Sequence, residues 1–189
     1  MSKSILIFGK GPSLLRCTKE FVDEFDDIAI CNYPVLNDFF KNLIKNREIK
    51  YHFANCGTFD ERYTDKINKQ LKIQNIYNTN KKTSVSYYRF LKDKSLFREN
   101  IREPILKYFL EKYNLDPNSG TMALKYILDL KEYDKIGLAG FDNFKKGEQQ
   151  YYYKPNEYNN KIKYIFNNKI VKKNGIYNQI SGHCPIKTK

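Results

Sequence analysis

The N-terminal part of the chain alternates short apolar runs with an amphipathic stretch. Residues 4–8 (SILIF) form an apolar run rich in β-branched side chains, which predicts a strand. A glycine turn at residues 9–13 follows, and residues 14–25 carry apolar positions at helical spacing, with Ser13 as a candidate N-cap. Residues 27–31 form a second apolar run. This order of strand, helix and strand predicts a right-handed parallel βαβ unit.

The same alternation of elements continues toward the C-terminus. Further strands are predicted at residues 50–55, 73–77 and 135–139, and further helices at residues 35–44, 59–71, 87–113 and 117–130. Pro104 interrupts the third of these helices near its middle. Strands that alternate with helices predict an α/β fold with a mainly parallel sheet.

The charge of the chain narrows the class of its partners. The formal net charge is +13 at pH 7, and such an excess favours nucleic acid, an acidic membrane surface or a phosphorylated substrate. The lysines are spread along the chain, as on ordinary solvated surfaces.

Cysteine spacing and hydropathy indicate the compartment. The four cysteines are scattered without a CxxC pair, which fits neither a disulfide framework nor a zinc site. No apolar stretch approaches the roughly 20 residues of a spanning helix, and the N-terminus lacks the organisation of a signal peptide. We therefore expect a cytoplasmic protein.

Small polar residues and glycines recur where the predicted strands end. In an open parallel sheet, ligands bind outside the carboxyl ends of the strands. Backbone amides at a glycine turn before a helix favour phosphate, and two such turns occur, at residues 9–13 and 118–120. The full dinucleotide fingerprint is absent because Leu14 stands where its third glycine would be. These patterns predict a nucleotide site at the carboxyl edge of the sheet.

The order of these motifs resembles a known enzyme family. A strand followed by GKGPS comes first, then strands ending at Asn32 and Asn55, then the helix start at residues 118–120, then LAGFD, and finally SGH at residues 181–183. This order and spacing is similar to that of bacterial lipooligosaccharide sialyltransferases of glycosyltransferase family 42 and, more distantly, to animal sialyltransferases of family 29. The resemblance covers residues 5–183.

The resemblance implies a fold and an activity. The fold would be a single Rossmann-like three-layer α/β domain over residues 1–189, with a mainly parallel sheet, a variant of the glycosyltransferase-A architecture. A lid would lie around residues 145–160, and a short tail at residues 181–189. The activity would be an inverting, metal-independent transfer of a sugar from a CMP-activated donor to a glycan acceptor, without a further cofactor. Peripheral contact with the anionic inner face of a membrane would bring the enzyme to its acceptor.

The resemblance also assigns roles to individual residues. His183 would be the general base, and Tyr151 and Tyr152 in the lid would donate hydrogen bonds to the departing phosphate. The donor would be bound by Gly9, Lys10, Gly11, Pro12, Ser13, Asn32, Asn55, Asn118, Ser119, Gly120, Thr121, Gly140, Phe141 and Asp142.

The chain departs from the family at three places, which leaves alternatives open. Lys10 stands between the two glycines where the family has asparagine, Phe144 replaces a tyrosine, and only six residues follow His183. An inactive nucleotide-binding module of the same fold is therefore an alternative. A basic nucleic-acid-binding protein is a further one, because aromatic and basic stretches such as residues 149–160 stack on single strands, although no nucleic-acid motif is recognised.

Overall fold

The structure is a computed structural model that describes residues 2–32, 34–55, 70–79 and 94–142. The strands within these ranges are β1 (Ser4–Phe8), β2 (Asp27–Cys31), β3 (Tyr51–Ala54), β4 (Ile76–Asn78), β5 (Phe97–Asn100) and β6 (Lys135–Ala139). They form one parallel sheet in the order β5-β4-β3-β2-β1-β6. The chain therefore builds the sheet outward from β1 to β5 and then returns to place β6 on the other side of β1.

Helices cover both faces of this sheet in the described part of the chain. They are α1 (Lys19–Asp23), α2 (Asp38–Leu43), α3 (Arg102–Tyr113) and α4 (Ser119–Leu130), with short 3-10 helices at Pro12–Arg16 and Lys94–Leu96.

Alternate residues of each strand enter two separate cores. Leu6 and Phe8 of β1 pack with α1 and α2, whereas Ile5 and Ile7 pack with α3 and α4. Burial on both faces explains why β1 is apolar from Ile5 to Phe8. The predicted three-layer α/β fold is confirmed.

Most of the predicted strands are present in the structure. Strands were predicted at residues 4–8, 27–31 and 135–139, and these coincide with β1, β2 and β6. The strand predicted at residues 73–77 is displaced, because β4 begins at Ile76 and Ile73 forms an isolated bridge with Ile49.

The single helix predicted over residues 14–25 is wrong. The chain forms a 3-10 helix at Pro12–Arg16, becomes extended at Cys17, and starts again as α1. Ser13 is not an N-cap, since it lies within the 3-10 helix. Thr18 caps α1 instead, with its hydroxyl accepting from the amide of Phe21 at 3.2 Å. A side-chain cap of this kind favours a new helix start over a continuous helix.

The helix predicted over residues 87–113 is correct for Arg102–Tyr113 and wrong for Phe97–Asn100. Residues 97–100 pair with β4 as strand β5, and α3 begins only at Arg102. Pro104 lies in the first turn of α3, where a missing N–H costs no helical hydrogen bond, so it starts the helix and does not interrupt it.

The remaining helix predictions are correct in kind and differ in detail. α2 occupies only Asp38–Leu43 of the predicted residues 35–44, and α4 occupies Ser119–Leu130 of the predicted residues 117–130. Leu128 of α4 is apolar, but 54% of its surface is exposed. Most of the helix predicted at residues 59–71 lies outside the described residues. Among the described helices, none has the length and apolar character needed to cross a membrane.

Candidate functional site at the carboxyl edge of the sheet

The loops after β1 and β6 run side by side at the point where the strand order reverses. The amide of Gly9 donates to the carbonyl of Ala139 at 2.7 Å, and the amide of Gly11 donates to that of Gly140 at 2.8 Å. The parallel pairing of β1 and β6 thus continues beyond both strands. Such a reversal opens a crevice at the carboxyl edge of a parallel sheet, where ligands bind in folds of this kind.

Glycine is required in these loops by the closeness of their backbones. A Cβ on Gly9 would collide with the carbonyl oxygen of Gly140, and one on Gly11 would collide with the carboxylate of Asp142. Gly140 itself has a φ of +72°, a left-handed conformation that favours glycine. The loops after β1 and β6 are therefore packed against each other so closely that neither Gly9 nor Gly11 has room for a side chain.

Asp142 joins the two loops through its side chain. Its Oδ2 accepts from the backbone amide of Ser13 at 3.0 Å and from the hydroxyl of Ser13 at 2.8 Å. The predicted site residues Ser13 and Asp142 thus meet across the crevice, although 129 positions separate them in sequence. These bonds fix the position of the GKGPS loop.

Lys10 is buried at the same edge, with only 8% of its surface exposed. Desolvation lowers the pKa of its ammonium group to about 8, while the electrostatic effect of nearby Cys31 acts in the opposite direction. Cys31 ends β2, and burial raises the pKa of its thiol to about 12, so it remains neutral at pH 7. Lys10 therefore brings a positive charge into the edge between β1 and β2.

Asn32 and Asn55 follow β2 and β3 and contact each other directly. The backbone amide of Asn55 donates to the Oδ1 of Asn32 at 2.8 Å. Asn32 is 4% exposed and has a φ of 57°, in the left-handed region. Asparagine tolerates this region better than most residues do. The two asparagines predicted for the site are thus brought together.

The N-terminus of α4 points to the same edge and is capped by Asn118. Its Oδ1 accepts from the amide of Thr121 at 2.9 Å and from the hydroxyl of Thr121 at 3.2 Å. The helix dipole of α4 places partial positive charge at this end. The helix start predicted at residues 118–120 is confirmed by this geometry.

Phe141 packs against the first turn of α4. A Cβ on Gly120 would lie 2.7 Å from Cε1 of the Phe141 ring, so the ring occupies the space that a side chain would need. The helix start and the loop after β6 are therefore in direct contact.

Sequence reasoning missed a polar group at the ends of β4 and β5. Thr79 is 2% exposed, and its hydroxyl lies 2.8 Å from that of Ser119. Arg102 is 9% exposed and donates to Asp116 at 2.9 Å, which ties the start of α3 to the loop before α4. Thr79 could have been predicted as a site residue, because polar residues directly follow the strand predicted at residues 73–77.

Three predicted catalytic residues lie outside the described residues. They are Tyr151, Tyr152 and His183, and they remain predictions, as do the lid at 145–160 and the tail at 181–189. Among the described residues, no group of three or more His, Cys, Asp or Glu side chains has an arrangement that could hold a metal ion.

The fold is similar to that of solved sialyltransferases. One is sialyltransferase CstII from Campylobacter jejuni with cytidine-5'-monophosphate, at 20% identity and a TM-score of 0.54, covering 80% of this chain and 66% of that one. A second is the same enzyme with CMP-3FNeuAc, at 19% identity and a TM-score of 0.60. The match covers 97% of this chain and 71% of that one. A third is a sialyltransferase with a trisaccharide acceptor and CMP, at 20% identity and a TM-score of 0.59. The match covers 89% of this chain and 72% of that one.

The chain thus spans 66–72% of the length of these sialyltransferase chains. No protein-family model matches the sequence, and no curated protein matches it. The parallel sheet, its flanking helices and these superpositions together show that the chain has a sialyltransferase-like α/β fold.

Proposed function

We propose that this protein is a glycosyltransferase that transfers a sugar from a CMP-activated donor to a glycan acceptor. The observation that carries the proposal is the convergence of the GKGPS loop, the Asn32–Asn55 pair and the N-terminus of α4 at one sheet edge. The likeness of the fold to a sialyltransferase solved with CMP and with a trisaccharide acceptor supports this choice of substrates.

The described residues suit the binding of a nucleotide monophosphate. The amides of Gly9, Gly11 and Ser13 are engaged by the loop after β6. The N-terminus of α4, whose dipole favours negative charge at its first turn, is therefore the feature that suits the phosphate. Asn32 and Asn55 supply amide groups at the ends of β2 and β3 for the ribose or the base. Each group is rigid because it is tied to a neighbouring strand or loop.

The reaction that we propose is a single inverting displacement at the anomeric carbon of the donor sugar. The acceptor hydroxyl forms the new C–O bond and the bond to the phosphate oxygen breaks, so CMP leaves with the bonding pair. His183 takes the hydroxyl proton, as a side chain with a pKa near 6.5 can do at neutral pH. Tyr151, Tyr152 and the N-terminus of α4 stabilise the charge on the phosphate without a metal ion.

The acceptor that we propose is a surface glycan of the lipooligosaccharide type. The net charge of +13 supports contact with an anionic membrane face, where such acceptors lie.

The first test is calorimetric titration of the chain with CMP, and with UDP, GDP and NAD as comparators, in the absence of metal. Selective binding of CMP is expected, and Asn32→Gly should weaken it. Asn46→Gly is the matched control, because Asn46 is also left-handed, at φ 64°, and is exposed outside the site. Absence of CMP binding would overturn the proposal.

Turnover distinguishes an enzyme from an inactive binding module. Release of CMP from a CMP-sugar donor, lost in His183→Ala, is expected of the enzyme. CMP binding without any release of product would favour the module.

A further inference from the structure

The left-handed conformation of Asn32 is held by three hydrogen bonds that all lead to β3 or its end. The backbone amide of Asn32 donates to the carbonyl of Phe53 at 2.8 Å, and its Oδ1 accepts from the amide of Asn55 at 2.8 Å. The third bond joins the carbonyl of Asn32 to Nε2 of His52 at 3.1 Å. Of these three bonds, the third is the one in which β3 takes part through a side chain.

His52 is an unusual residue to find at this place in the sheet. It is completely buried in the middle of the sheet, and its neighbours in register are Ile30 of β2 and Ile76 of β4. An apolar residue would fill this position at lower cost, since burial of a polar ring costs free energy unless the ring is hydrogen-bonded. The bond to Asn32 is therefore a reason for histidine to occupy this position.

The bond also sets the state of the ring. A carbonyl oxygen only accepts, so Nε2 carries the proton and donates it. Burial lowers the pKa of His52 to about 3, with the bond to Asn32 opposing the effect, so the ring is neutral throughout the physiological range. His52 thus acts as a permanent hydrogen-bond donor that does not respond to pH.

The hydrogen bonds of Asn32 also determine which group of its side chain can bind a ligand. Its Oδ1 is engaged by Asn55, so its Nδ2, with two N–H donors, is the group available to a ligand. The direction of Nδ2 depends on the backbone of Asn32, which His52 and Phe53 hold in a conformation that would otherwise be disfavoured.

We propose that His52 is a positioning residue, which holds Asn32 in the conformation in which its side-chain amide donates to the nucleotide. This inference rests on the proposed function, since the ligand is the CMP part of the donor. His52 itself does not contact the ligand. Its effect on binding passes through Asn32.

A double-mutant cycle on CMP affinity tests this coupling. His52→Leu removes the donor and keeps an apolar side chain of similar size, and it should weaken CMP binding about tenfold. In an Asn32→Gly background, His52→Leu should cause little further loss, because the amide that it positions is gone. His52→Gln, which keeps an N–H donor, should bind CMP more tightly than His52→Leu. A general loss of structure would not produce this pattern.

The ring of the wild-type protein provides a second test that needs no variant. The ¹⁵N shifts of His52 should show the neutral ring protonated at Nε2, without titration between about pH 5 and 8. Titration in that range, or protonation at Nδ1, would overturn the inference.

The outcomes separate this inference from the proposed function. If the wild-type chain binds CMP and the losses in the two single variants simply add, the role of His52 is refuted while the proposed function stands. If the wild-type chain binds no CMP, both are refuted.

Discussion

The buried ammonium group of Lys10 leads to a quantitative prediction about stability. The pKa of Lys10 falls from 10.5 to about 8 because the folded protein removes its ammonium group from water. One pKa unit corresponds to about 1.4 kcal/mol, so holding Lys10 charged at pH 7 costs the folded state about 3 kcal/mol. Lys10→Met keeps the length of the side chain and removes this cost. We therefore expect the variant to be more stable than the wild type at pH 7.

The size of this gain should depend on pH in a defined way. Below about pH 8, Lys10 is protonated in both the folded and unfolded states, and the full cost is present. Between about pH 8 and 10.5, the unfolded state holds more protons than the folded state, so the wild type gains stability as the pH rises. The advantage of Lys10→Met should therefore shrink toward zero across this window.

Urea and thermal unfolding of both proteins at several pH values measure this difference. At pH 7 the melting temperature of Lys10→Met should exceed that of the wild type by about 6–12 °C. Lys107→Met is a matched control that removes the same charge from a side chain that is 76% exposed, and its stability should change by less than about 0.5 kcal/mol. Equal stability of wild type and Lys10→Met at pH 7, or an advantage that grows with pH, would refute the reasoning.

Calorimetric titration of Lys10→Met with CMP shows whether the buried charge of Lys10 contributes to ligand binding. A hydrogen bond to a charged group contributes about 1.5–3 kcal/mol, so Lys10→Met should bind CMP about 10- to 100-fold more weakly if Lys10 contacts the phosphate. Unchanged CMP affinity in the more stable variant would exclude that contact.

Three further predictions concern the contacts that join the loops of the site. Gly120→Ala should destabilise the protein by about 1–3 kcal/mol in urea unfolding, because the new methyl group meets the ring of Phe141. Phe141→Leu in the same chain should recover part of the loss, and no recovery would argue against this clash. Asp142→Ala should speed amide hydrogen exchange at Ser13, whose N–H loses its acceptor, and an unchanged rate would contradict the link between the loops. Asn118→Ala should lower stability by about 1 kcal/mol by thermal unfolding, since the cap of α4 is lost; an equal melting temperature would mean that the cap contributes nothing.

Local signals in the sequence were sufficient to predict the inner strands and two of the loops. β1 from Ile5 onward and β2 from Ile28 onward are continuous apolar runs because helices cover both of their faces. A short run of this kind is visible without knowing its neighbours. The glycine turn after β1 and the cap at Asn118 are equally local, since each depends on residues within a few positions.

The elements that were missed depend on distant partners. β5 carries exposed Arg98 and Glu99, so its sequence has no apolar pattern typical of a strand, and it becomes one only through pairing with β4. The bond between His52 and Asn32 likewise requires knowledge that β2 and β3 are neighbours in register. Sequence patterns predicted which residues end the strands, but they did not predict which residue each of these side chains would hydrogen-bond to.

The position of β6 beside β1 has a consequence for when the site can form during synthesis. The two loops that β1 and β6 contribute are joined by Ser13 and Asp142, which are 129 positions apart. During translation the N-terminal strands leave the ribosome long before Asp142 does. The glycine turn after β1 therefore cannot form its bonds to the loop after β6 until that loop has been synthesised. The donor binding that we propose would therefore require β6, the last strand in the described residues, to have joined the sheet. A nascent chain that ends before β6 would lack the crevice however well its earlier strands had paired.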